Sequence, residues 1–369
     1  MSRFASVTLA EAVQRPHNNF GLIRLLLALA VVISHAFSVT TGVLEDEPLA
    51  ASTGFTLGEH AVNGFFAISG FLVTMSFERR GWRDYTLSRL LRIAPGLIAA
   101  TLVVSLLIGG AMTDLGLRDY LSDPRLWRFI ERTLTTFKSA AALPGVFETN
   151  PLQFPMGTVW TLKYETLCYL GVFLLGIAGL LARREWLLAA GIVLTLATIA
   201  EEAFGNPDVK ALETALRLPL IFLAGGLAYL YREKLRIPLI SVPLLLLVLV
   251  PLAWTPLYKA ALYLATAWSV LVLAFAPALT SRRTEPSADL SYGVYLYGWP
   301  VQQALHALMP GVAALTLLWP SLTLTLIIAA ASWYWVEKPA LRIKRRLLMR
   351  SRVQPEAARS DPTSGAAAG

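Results

Sequence analysis

A histidine, His35, and an arginine, Arg24, fall within one run of mostly apolar residues, Phe20 to Thr41. An ionisable side chain at membrane depth is costly and by default marks a functional site. The two lie eleven positions apart, which on a helix is ~16 Å of rise and about three turns, so they share a face. An imidazole there suits general-base chemistry, and a guanidinium suits an anion. Glu165, in GTVWTLKYETLCYL, lies roughly 10 Å below the outer edge of its own apolar run, and His35 lies about 9 Å below that edge. A carboxylate at that depth either orients the imidazole as a base needs or pairs with Lys163 or an arginine to hold the bundle together. Arg89 and Arg92 form R-x-x-R in YTLSRLLRIAPG and share a helix face. Such a pair is either a bidentate phosphate grip or ordinary anchoring at a membrane edge. Arg79, Arg80 and Arg83 strengthen either reading.

These residues need a membrane to make sense, and the composition supplies one. The 369-residue chain is 56% hydrophobic and only 15% charged, with mean hydropathy +0.58, whereas soluble globular chains carry about 25% charged residues. The expected fold is all-α, a polytopic membrane helix bundle of about ten spans: 20 to 41, 62 to 78, 87 to 110, 158 to 182, 186 to 201, 212 to 231, 238 to 253, 257 to 279, 290 to 308 and 312 to 336. The first follows a polar leader, residues 1–19, and has no cleavage site, so it reads as a span and not as a signal peptide.

Charge asymmetry orients the spans. Arg79, Arg80 and Arg83, then Arg183 and Arg184, then Arg232, Lys234 and Arg236, then Arg282 and Arg283 fall on one side with Arg342, Lys344, Arg345, Arg346, Arg350 and Arg352. Glu45, Asp46, Glu47, Glu59, Glu201, Glu202 and Asp208 fall on the other. This positive-inside pattern places both termini in the cytoplasm, and the net charge of +8 then reflects contact with anionic lipid headgroups and not nucleic acid. The lone cysteine, Cys168, excludes an intramolecular disulfide and any multi-cysteine metal site. No metal-binding spacing involves His17, His60 or His306, so no metal and no bound cofactor are expected.

Residues 111–157 form the longest connection. Within it Leu126, Phe129, Ile130, Leu134 and Phe137 recur at helical spacing after Asp123 and Pro124, predicting an amphipathic helix on the outer membrane face. Residues 343–369 begin basic and end rich in Ala, Ser, Pro and Gly, a composition that predicts disorder. The core domain is thus 20–342. In GFFAISGFLV, residues 64–73, the small residues Gly64, Ser69 and Gly70 suit close helix contact. Aromatic residues in SYGVYLYGWP and WYWVEKPALR suit an interfacial belt, with Glu337 placed to pair with Arg342.

Taken in order, NNFGLIRLLLALAVVISHAFSV, GFFAISGFLV, RLLRIAPG, LPGVF with GTVWTLKYE, SYGVYLYGWP and WYWVEKPALR resemble acyltransferase family 3, the bacterial membrane O-acyltransferases that include nodulation-factor and O-antigen acetylases. The resemblance runs from about Asn18 to Arg342. It implies transfer of an acyl group, commonly acetyl from cytoplasmic acetyl-CoA, to a hydroxyl of a saccharide or lipid-linked glycan at the outer face of the inner membrane. Residue by residue, it makes His35 the essential histidine, Arg24 the first-span arginine, Arg89 and Arg92 the acyl-CoA pair, and Glu165 a catalytic partner. The chain departs from the family where Gly21 replaces an acidic or amide residue, and where Gly298 replaces a histidine in Y-L-x-H-x-P. No esterase-like domain follows the last span, so the bundle and the long connection are expected to recognise the acceptor. A secondary transporter, or a partner in polysaccharide export without catalysis, would share the intramembrane charges, although no inverted repeat is visible between the halves.

Overall fold

A computed structural model describes residues 7–138, 140–206, 210–276, 279 and 286–344; Asp208, Arg282, Arg283 and the tail from residue 345 lie outside them. The described chain is helical. Ten helices carry the argument: α1 (Phe20–Thr41), α2 (Leu57–Leu102), α3 (Pro124–Thr136), α4 (Trp160–Ile177), α5 (Arg184–Phe204), α6 (Lys210–Leu230), α7 (Ser241–Leu252), α8 (Tyr258–Phe275), α9 (Ser291–Leu308) and α10 (Ala314–Ser332). Every run expected to span coincides with a helix. Among the described residues, six continuous helical segments are long and apolar enough to cross a membrane: Phe20–Thr41, Leu57–Met112, Arg184–Phe204, Lys210–Leu230, Tyr258–Phe275 and Ala314–Lys344. That number falls short of ten for physical reasons. The expected second and third spans are one helical segment, α4 carries Lys163 and Glu165, α7 has 12 residues, and α9 is rich in Tyr and Gln.

Gly81 divides α2 into two arms. Its φ of 74° and ψ of 175° are open to glycine alone, and the arginines of the second connection cluster around this break. The first arm lies against α6 at a crossing made of small residues. A Cβ on Gly70 would stand 1.9 Å from the Phe222 carbonyl oxygen, and one on Gly225 would stand 2.1 Å from that of Ala67. Close backbone approach is how helices gain dispersion energy where lipid provides no hydrophobic drive.

Two ends can be told apart by their contacts. At the basic end, Thr8 of the leader caps the short helix Leu9–Val13 in a capping box with Glu11, and Leu9 N donates to Leu235 O at 2.8 Å. Arg232 pairs with Glu78 at 3.3 Å, and Lys344 pairs with Asp84 at 3.0 Å. The leader and the helix that ends the described chain therefore meet the same face of the bundle. At the opposite end Lys210 pairs with Glu45, and Arg217, only 2% exposed, sits 3.6 Å from both Glu59 and Glu213.

The long connection contains the helix its periodicity predicts. Asp123 caps α3 by accepting from Arg125 N, a proline opens it, and Leu126, Phe129 and Thr133 are buried. It packs on a cluster with Leu97 and Val104 of the second arm and its extension. Phe137, at φ 53°, ends it.

Candidate active site

A cavity of about 320 Å³ runs between α1, α2, α4 and α9. Its wall follows the first arm of α2 from Val62 to Arg80, which on a helix is ~27 Å of rise. Arg24 enters from α1, Arg89 and Arg92 from the second arm, Glu165 and Tyr169 from α4, Asp289 and Tyr292 from the start of α9, and Lys344 from the helical extension of α10. Four residues singled out in the sequence, Arg24, Arg89, Arg92 and Glu165, thus line one space although three separate helices bring them there.

The cations differ in their partners. Asp289 Oδ2 stands 2.9 Å from Arg24 Nη1 and 2.9 Å from Arg92 Nη2. Its other oxygen accepts from Ser291 Oγ at 2.6 Å. Burial alone would raise the Asp289 pKa, but Arg92 and Arg24 outweigh it and hold the carboxyl well below the usual carboxylate range. Arg92 also faces Glu337, 3% exposed, at 3.7 Å, and Glu337 accepts from Ser332 Oγ at 3.2 Å. The expected pairing of Glu337 with Arg342 is therefore replaced: the π-helical turn Trp333–Glu337 carries the carboxylate inward to Arg92. Arg89 makes no ion pair among the described residues; its guanidinium lies over the Tyr169 ring, 5.4 Å from the centroid, and its Nε is buried without a hydrogen-bond partner.

Glu165 accepts from Ser69 Oγ at 3.2 Å and from the Tyr169 hydroxyl. Neither Lys163 nor His35 is its partner in this arrangement. Ser69 is accordingly more than a small packing residue, unlike its neighbour Gly70.

His35 is not among the residues lining the cavity. Its ring lies nearly perpendicular to that of Trp299, with centroids 4.9 Å apart and planes at 87°. Trp299 in turn stacks on Phe154 at 5.1 Å and donates Nε1–H to the Phe154 carbonyl at 2.8 Å. The long connection thereby sets the imidazole's position. His35 Nδ1 is buried and has no hydrogen-bond partner among the described residues. α1 and α2 run antiparallel, with Gly58 against Ser34 and Gly64 against Leu27, so the Val62 end of the cavity lies level with Leu29 and Ala30, roughly 8 Å of rise short of His35. The glycine found where a histidine was expected also has a local reason. A Cβ on Gly298 would lie 2.5 Å from Val32 Cγ2, one turn from His35.

Asp289, Glu337, Ser69 and Tyr169 were not singled out as site residues. Asp289 carried a weak signal, a carboxylate just before an apolar helix; the others carried none above their packing or belt roles.

The described residues form a helix bundle that encloses a cation-lined cavity, with a histidine beyond its far end. The chain belongs to the acyltransferase family 3, whose family model, described as an acyltransferase domain, matches residues 17–336. It is 26% identical over 333 residues to an O-acetyl transferase of Shigella phage Sf6, covering 87% of this chain and 95% of that one. It is 28% identical to nodulation protein 10 of Rhizobium leguminosarum bv. viciae, covering 90% of this chain and 95% of the relative. No solved structure matches.

Proposed function

We propose that this protein is an O-acetyltransferase of the bacterial inner membrane, crossing it about ten times with both termini in the cytoplasm, that moves acetyl from cytoplasmic acetyl-CoA to a hydroxyl of a saccharide or lipid-linked glycan at the outer face. The observation that carries the reading is the cavity itself. It begins among Arg80 and Lys344 at the basic end, passes Arg24, Arg89 and Arg92, and ends at Val62 and Tyr295, roughly 8 Å of rise short of His35. With the basic end in the cytoplasm, the nucleotide phosphates meet guanidinium groups near the entrance. The pantetheine arm then lies along the cavity, and the thioester reaches the outer half of the bundle without the donor crossing freely.

From its place beyond the cavity's far end, His35 acts as general base. Its imidazole takes the proton of the acceptor hydroxyl as the oxygen attacks the thioester carbonyl. The carbon–sulfur bond breaks, and the proton passes to the departing CoA thiolate, leaving an acetyl ester and free CoA. Glu165, held by Ser69 and Tyr169, contributes negative charge beside the path of the arm. The name of the phage relative, an O-acetyl transferase, supports acetyl as the group.

Inside-out vesicles given radiolabelled acetyl-CoA test this reading. Base-labile label on a saccharide, absent from vesicles lacking the protein, is expected. Label that stays on CoA or leaves as free acetate would favour a transporter or an export partner.

A further inference from the structure

The cations of the cavity divide into two groups, and one carboxylate makes the division. Asp289 is committed on both oxygens, Oδ2 to Arg24 and Arg92 at 2.9 Å each and Oδ1 to Ser291 at 2.6 Å. Glu337 adds a second carboxylate against Arg92 at 3.7 Å. Arg24 and Arg92 with Asp289 and Glu337 thus form a balanced set of two cations and two anions. At the entrance Lys344 is paired with Asp84 at 3.0 Å, and Arg80, with a side chain 59% exposed, stands 3.9 Å from the same carboxylate. Arg89 is the exception, a guanidinium on the cavity wall that makes no ion pair among the described residues and lies over the Tyr169 ring.

We propose that Asp289 is a positioning residue that fastens Arg24 and Arg92 to the frame of the cavity and so leaves Arg89 as the group that grips the nucleotide phosphates of the donor. The proposal rests on reading the cavity as the acyl-CoA site. A phosphate arriving at Arg24 or Arg92 competes with a carboxylate, whereas at Arg89 it meets a half-buried guanidinium whose contact is the Tyr169 ring and not an ion-paired carboxylate. Tyr169, under that guanidinium and bonded to Glu165, holds it toward the cavity. The two arginines of R-x-x-R therefore do different work: Arg89 binds ligand, and Arg92 keeps the helices in register around it.

Steady-state kinetics with two donors separate these roles: acetyl-CoA, and acetyl-pantetheine, which carries the same thioester without the nucleotide. Arg89→Gln is expected to raise KM for acetyl-CoA about tenfold or more, the loss of a charged hydrogen bond, while leaving KM for acetyl-pantetheine unchanged. Arg92→Gln and Asp289→Asn are expected to lower kcat with both donors without a selective rise in KM for acetyl-CoA, and Asp289→Glu to regain part of that kcat. An acetyl-CoA-selective KM rise in Arg92→Gln as large as in Arg89→Gln overturns the division, as does an Arg89→Gln protein with both KM values unchanged. Should Asp289→Asn fail to purify as a folded protein, the comparison of the two arginine variants decides. A wild-type protein inert with both donors would instead refute the acyl-CoA reading underneath.

Discussion

Aromatic neighbours determine where the His35 ring sits. Trp299, stacked on Phe154, stands nearly perpendicular to the imidazole, so Trp299→Ala removes the ring's support and leaves its nitrogens unchanged. Large-to-small changes of this kind cost about 3–5 kcal/mol in packed sites; a lower melting temperature by detergent-based thermal shift and a reduced kcat are both expected, with Trp299→Phe intermediate. The residue types and the spacing of Arg24, His35, Arg89, Arg92 and Glu165 were readable in the chain, because eleven-residue and three-residue intervals define helix faces without tertiary information. What each one touches was not. Asp289 meets Arg24 across 265 positions of sequence, and only the packing of α9 against α1 and the second arm of α2 brings them together. The pairing of Glu165 with Ser69 and Tyr169 depends likewise on how α4 is rotated, which a depth count leaves undetermined.

Among the elements, α2 shows two uses of glycine that substitution separates. Gly70→Ala drives a methyl into the Phe222 carbonyl, 1.9 Å away in the present backbone, so α2 and α6 have to part; a cost of about 1–3 kcal/mol or more is expected, read as loss of monodisperse protein by size-exclusion chromatography. Gly81→Ala meets no atom within 4 Å and carries only the conformational cost of its backbone, about 1–3 kcal/mol. It is expected to straighten or loosen the joint between the arms, shift the register of Arg89 and Arg92, and raise KM for acetyl-CoA. Hydropathy marked where α2 should fall silent, between residues 78 and 87, but a period of apolar residues carries no sign of one helix continuing through a single left-handed glycine. The amphipathic α3 was legible because Asp123, Pro124 and the recurring apolar residues specify start and face together.

For the molecule as a whole, the alternation of charge along the chain and the contacts of the leader with the Arg232–Arg236 connection agree on which ends lie together. On a Cys168→Ser background, a cysteine replacing Trp127 in α3 is expected to react with a membrane-impermeant maleimide in intact spheroplasts. One replacing Trp82 is expected to react only after the membrane is opened; both are about half exposed. The reverse pattern would invert the bundle and place the cavity's basic entrance outside the cell. Charge bias conveyed this organisation early because it is read span by span. The cavity could not be read that way, since it belongs to no single segment and arises from four helices meeting around buried ion pairs.

The most direct measurement compares His35→Ala with wild type in a single turnover, following both binding of radiolabelled acetyl-CoA and the appearance of label on the saccharide. Donor affinity within about threefold of wild type and transfer slowed by roughly 10²–10⁴-fold, the usual range for losing a general base, are the expected outcome. Transfer at the wild-type rate by a protein without this imidazole would contradict it.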